Sequence, residues 1–179
     1  MFPRRIHKLV EDSIQRSWVV HGARALNKQL PRRLYRHTED WDFFSNNPRV
    51  SSRMLEAKIE AVTGDVFQQD KLPLVNGKGY VYRIISKDTG EEIADFMKTP
   101  QHKNLYTVIG GIRWETLEHA KMAYRRILSE PQHSYSRYAK ARRDLARIEA
   151  FEGKLKKRSF RARDVPGSFT RVKVGWVTP

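Results

Sequence analysis

Between residues 79 and 128 the apolar positions first alternate with polar ones and then recur every third or fourth residue. Residues 79–86 and 91–97 are rich in β-branched and aromatic side chains. A short polar turn closing at Gly90 separates them, which is a hairpin signature. A third run, Leu105 to Ile109, stops at Gly110 and Gly111. Trp114, Leu117, Ala120, Tyr124, Ile127 and Leu128 follow at helical spacing with charges mostly between them. The pattern predicts strand, turn, strand, strand, helix. The helix is expected across the sheet, because three strands cannot bury an apolar face alone.

Upstream, Asn47 and Pro48 form a helix-start signal. Leu55, Ile59 and Val62 carry the helix, and Gly64 ends it. Residues 65–78, with Pro73 and Gly77, read as a loop. In residues 5–18, Ile6, Val10, Ile14 and Trp18 stand four apart, with Leu9 beside them, as one helical stripe among Arg4, Arg5, Lys8 and Arg16. Residues 22–36 read as a basic connector broken at Pro31. Residues 39–44 interleave acids with aromatics and read as a loop. Its rings, Trp41, Phe43 and Phe44, plug into the core or anchor a partner protein. Beyond Pro131 a long helix is predicted from Tyr135 to Glu152 on a narrow stripe of Tyr138, Ala141, Leu145 and Ile148. Periodicity fades from Gly153, and Val172 and Val174 allow one edge strand.

The expected fold is therefore α+β: a small three-stranded antiparallel sheet packed by one or two helices, with basic helical and extended arms. Residues 1–46 are the N-terminal arm with its amphipathic helix. Residues 47–130 are an α-β-β-β-α core, and 131–179 are a basic helix and extended tail.

Charge sharpens this picture. The chain carries +15 in 179 residues, and the excess is segregated. Residues 1–37 hold nine Lys/Arg against two acids, residues 38–120 ten against thirteen, and residues 121–179 sixteen against five. Basic arms around a slightly acidic middle call for an anionic partner. The absence of cysteine removes disulfides and thiolate metal sites. No apolar run approaches the roughly 18 residues of a membrane span.

Candidate catalysis is sparse in the sequence. The six histidines form no i, i+4 pair and no zinc signature. Gly77-Lys78-Gly79 lacks the phosphate-loop frame and leads into a strand. Asp88, Glu91, Glu92 and Asp95 surround one hairpin and read as a solvated turn. The expectation is no catalytic residue, no metal site, no cofactor, no small-molecule substrate and no enzyme.

Two families share elements of this pattern. Trp114, Thr116, Glu118, Ala120, Ala123 and Tyr124 resemble the final helix of the plant APETALA-type DNA-binding domain. The order helix, three strands, helix resembles a double-stranded-RNA-binding domain. These resemblances imply a nucleic-acid-binding scaffold. The composition as a whole, a near-neutral module with Arg/Lys-rich ends, resembles a mitochondrial ribosomal protein. That resemblance implies a structural, rRNA-binding component of the ribosome in the mitochondrial matrix, with ribosomal RNA and neighbouring ribosomal proteins as partners.

The residues expected on RNA are Arg4, Arg5, Arg32, Arg33, Arg36, Arg137, Lys140, Arg142, Arg143, Arg147, Lys154, Lys156, Lys157, Arg158, Arg161 and Arg163. Arginine grips phosphate bidentately, and the neutralised backbone releases counterions. The basic N-terminal helix is compatible with mitochondrial import, although Glu11 and Asp12 are unusual in a transit peptide. The alternatives are a non-catalytic accessory subunit of a mitochondrial inner-membrane complex, with its basic face on anionic lipid, and a sequence-specific DNA binder using the central sheet.

Overall fold

A computed structural model describes residues 4–74, 77, 79–130 and 133–163; Arg4 and residues 155–163 are described for the backbone alone. Seven strands form one mixed sheet: β1 Val19–His21, β2 Trp41–Ser45, β3 Phe67–Pro73, β4 Tyr80–Ser86, β5 Glu92–Lys98, β6 Tyr106–Ile109 and β7 Ile112–Glu115. Their spatial order is β3-β4-β5-β2-β1-β7-β6. The α+β class stands, but the expected three-stranded antiparallel sheet does not. The β2–β5 and β1–β7 pairs are parallel, and the remaining pairs are antiparallel.

Four strands lay hidden in the sequence, for identifiable reasons. β1 has only three residues, all buried, too few to show a period. β2 alternates, but its polar position is an acid, Asp42, where a strand pattern normally shows a neutral residue. β3 is a polar edge strand in which Phe67 alone is buried. Gly110 and Gly111 have φ of 60° and 79°, as a two-residue hairpin turn requires. The chain therefore turns back at the glycines into β7. Trp114 lies on that strand, not on the helix that follows.

Five helices complete the fold: α1 Arg4–Asp12, α2 Gly22–Gln29, α3 Pro48–Thr63, α4 Leu117–Ser129 and α5 Tyr135–Arg163. A 3₁₀ turn spans Arg32–Leu34. Asn47 caps α3, its side chain accepting from the Val50 amide, and Gly64 closes it in the left-handed conformation. Thr116 caps α4 through the His119 amide. Among the described residues, no helix is long and apolar enough to cross a membrane. The tail and its possible edge strand at 171–174 lie outside the described residues.

Alternation along the central strands divides the sheet into two faces. Val20, Trp41, Phe43, Ile84, Ala94 and Phe96 share one face by register. They join Ile6 and Val10 of α1 and Leu55 and Ile59 of α3 in the main core. A second cluster, Leu26, Leu30, Ala120 and Ile148, ties α2, α4 and α5 together. The segment 1–46, expected as an arm, thus supplies both central strands.

Candidate active site

The opposite face carries charge. His21 of β1 is the register partner of Asp42 on β2, Asp42 of Asp95 on β5, and Asp95 of Arg83 on β4. Four ionisable side chains therefore form one row across four adjacent strands, at the strand spacing of about 4.8 Å. Asp40, two residues before Asp42, borders the row, and Glu92 lies at its far end.

The row meets the start of α2 at Gly22. This residue has φ +66°, and a Cβ placed on it would lie 2.3 Å from Asp42 Oδ2. Glycine is therefore required twice, by backbone conformation and by the carboxylate against its Cα. The Gly22 amide donates to Glu115 Oε2 at 3.3 Å, and Glu115 Oε1 lies 2.6 Å from His119 Nδ1. Glu115 is itself almost fully buried, so β7 and α4 fix the position of the α2 N-terminus. The Gly22 amide is taken by Glu115, and the amides that follow it, with the positive helix end, suit negative charge.

The electrostatics are those of an under-neutralised acid cluster. Burial, then the charges of Asp40, Asp95 and Glu92, push the Asp42 carboxyl well above the usual carboxylate range, and Lys140 opposes them. Burial likewise raises Glu92 to about 7, with the Asp95 charge adding to it. Burial pushes Asp40 up as well, but the Thr38 hydroxyl and the charges of Lys140 and Arg36 outweigh it and leave Asp40 below its ordinary value. Arg83 grips both oxygens of Asp95 at 3.0 Å and reaches Glu92 Oε2 at 3.0 Å. Burial lowers His21 to about 4 against the opposing pull of Glu115 and Asp95. His21 is therefore neutral near pH 7. It stacks on Phe44 with centroids 3.9 Å apart, and its Nε2 is buried with no hydrogen-bond partner.

Among the described residues, no group of three or more His, Asp or Glu side chains is placed to hold a metal ion as the side chains stand. By chemistry alone, the carboxylates suit a divalent cation. Asp40, Asp42 and Asp95 are hard oxygen ligands of the kind Mg²⁺ uses. Burial first, and then the neighbouring carboxylates, disfavour a charged Asp42, a penalty that a bound cation would lift. A carboxylate has about four lone-pair positions, so the Arg83 fork leaves acceptor capacity on Asp95.

No family model matches the chain, and no curated protein matches its sequence. Solved structures do. The crystal structure of the Megavirus polyadenylate synthase aligns with a TM-score of 0.65 at 20% identity, over 83% of this chain and 31% of that one. JHP933 from Helicobacter pylori aligns over 89% of this chain and 95% of that one, at 14% identity, with a TM-score of 0.36, too low to bear on the argument. The chain thus spans under a third of the polyadenylate synthase. The first likeness is one of fold. It corrects the expectation of a non-enzyme, which rested on the lack of a catalytic motif in the sequence: the fold is one that an enzyme uses.

The sequence-predicted cations divide into three groups. Arg5, Arg32, Arg33, Arg137, Lys140, Arg142, Arg143 and Lys154 are exposed. Arg36 and Arg147 turn inward. Arg36 Nε and Nη2 meet the two oxygens of buried Asp144 at 2.9 and 3.1 Å. Arg147 donates to Asp144 at 2.8 Å, to the Leu34 carbonyl at 2.6 Å and to Asn27 Oδ1. The side chains of Arg4, Lys156, Lys157, Arg158, Arg161 and Arg163 lie outside the described residues. Glu92 and Asp95, expected in a solvated turn, instead stand on β5 against Arg83. Gly22, Asp40 and Asp42 were missed. The available signal was two β-branched residues, a glycine and a helix, followed by Asp-x-Asp in an alternating run.

Proposed function

We propose that this chain carries a divalent-metal-dependent nucleotidyl-transfer site, in which a hydroxyl of an RNA acceptor attacks the α-phosphate of a nucleoside triphosphate, forming a phosphodiester and releasing pyrophosphate. The observation that carries the reading is the row of Asp42 and Asp95, with Asp40 beside it, set against the N-terminus of α2 at a residue that must be glycine. The Megavirus polyadenylate synthase, an enzyme named for making polyadenylate, supports it by shared fold.

Asp40, Asp42 and Asp95 would hold the metal. When bound, it polarises a phosphoryl oxygen and acidifies the attacking hydroxyl. Gly22 lets the Asp42 carboxylate approach the helix end without a side chain intervening. The amides at the start of α2 offer donors to phosphate oxygens. Arg83 keeps Asp95 ionised and oriented through two parallel hydrogen bonds. The exposed Arg32, Arg33 and Arg143 suit an RNA acceptor.

The test is incubation of the full chain with an RNA oligonucleotide, labelled nucleoside triphosphates and Mg²⁺ or Mn²⁺. Label should enter the RNA with wild type and not with Asp42→Asn. Incorporation that survives Asp42→Asn, or none with any of the four triphosphates, would remove the reading.

A second reading, binding to rRNA in a mitochondrial ribosome, draws on the exposed Arg137, Lys140, Arg142, Arg143 and Lys154. Its check is nuclease-sensitive comigration of the tagged protein with ribosomal particles on a gradient.

A further inference from the structure

The acidic row has a counterpart on α5. Arg137, Lys140, Asp144 and Arg147 follow at i, i+3, i+7 and i+10, so they lie along one helical face. The lower half of that face is locked. Asp144 accepts both arms of Arg36, and Arg147 reaches Leu34 and Asn27. Arg36 lies just four residues before Asp40, so these bonds tie the face of α5 to the segment that carries Asp40 and leads into β2. The upper half of the face is open. Lys140 stands one turn, about 6 Å, beyond Asp144. Both Lys140 and Arg137 are exposed. Among the described residues, neither side chain has an ion-pair or hydrogen-bond partner.

These two cations act on the site electrostatically. Lys140 acts on both Asp40 and Asp42, and Arg137 on His21. The acidic row of Asp42 and Asp95, with Asp40 and Glu92 beside it, repels a polyphosphate unless positive charge stands near. The exposed half of this face supplies it. Arg142, two residues from Lys140, points to the far side of the helix.

We propose that Arg137 and Lys140 form a cationic wall beside the acidic row and bind the phosphate chain of the nucleoside triphosphate donor. The proposal rests on the nucleotidyl-transfer reading and adds to it the residues that hold the donor. It also gives the pair of half-buried Arg36 and buried Asp144 a positioning role, since that pair fixes where the wall stands.

Fluorescence anisotropy with a labelled, non-hydrolysable nucleoside triphosphate in Mg²⁺ tests binding without turnover. Lys140→Glu and Arg137→Ala should each weaken the triphosphate about tenfold or more, the scale of a lost charged hydrogen bond. Arg142→Ala should leave it unchanged. Lys140→Ala adds no new charge, so it gives a second measure if Lys140→Glu fails to fold. A labelled RNA oligonucleotide forms the second arm, and its affinity should change less than twofold with Lys140→Ala. Wild-type triphosphate affinity in the Lys140 and Arg137 variants would overturn the wall while leaving the nucleotidyl-transfer reading intact. So would loss of RNA affinity with triphosphate affinity retained. No triphosphate binding by wild type would overturn both.

Discussion

On one side of β2, Trp41 and Phe43 stack with centroids 5.8 Å apart, and Phe43 stacks on Phe96 at 4.8 Å. On the other side, one residue along, Asp42 is raised by burial and flanked by Asp40 and Asp95. The same five-residue strand thus carries a dry aromatic core and an electrostatically unfavourable acid. The aromatic face holds the fold together through packing and area removed from water. The acidic face costs stability, because each carboxylate desolvates and repels the next. A chain selected for stability alone would have no use for that row, and the cost points to a ligand that repays it.

Substitutions on the two faces separate these roles. Asp42→Asn should reduce nucleotide incorporation on the order of 10³-fold, the scale for losing a group that balances developing charge. Its melting temperature should stay level or rise, since a raised carboxylate is removed. Phe43→Ala should cost about 3–5 kcal/mol of stability, read from denaturant midpoints, because Phe43 is fully buried between Trp18, Trp41 and Phe96. Gly22→Ala should cost roughly 1–2 kcal/mol from the left-handed backbone alone, and more from the clash with Asp42 Oδ2. It joins the two faces' effects, losing both stability and incorporation.

A pH dependence also separates the two faces. Burial holds His21 at about 4 against an ordinary 6.5. The unfolded chain therefore binds more protons there between these values. The contribution of His21 is fully present above pH 6.5 and is lost as pH falls toward 4. The melting temperature of His21→Gln should fall less than that of wild type between pH 7 and 4. Equal slopes would show that His21 is not held neutral.

Local signals were legible where a few neighbouring residues decide the outcome. Asn47, Pro48 and Gly64 bound α3 where expected, and the hairpin of β4 and β5 is read correctly around Gly90. Trp114 was drawn into a helix because it stands three residues before Leu117, and two glycines outweighed that spacing. The candidate site was not legible as a unit. Gly22, Asp42 and Asp95 come from three separate segments, and the parallel β2–β5 pairing that joins two of them is a long-range contact with no local signature. The basic residues misled by abundance: Arg36 and Arg147 look like RNA ligands in sequence, yet their charge is spent on Asp144.

Whether the acidic row holds a divalent cation can be measured directly. The melting temperature of wild type and of Asp42→Asn should be recorded with and without millimolar Mn²⁺, since binding to the folded state alone raises stability by mass action. Wild type should rise on addition of the ion, and Asp42→Asn should not respond. No shift in wild type, or the same shift in both proteins, would contradict the account.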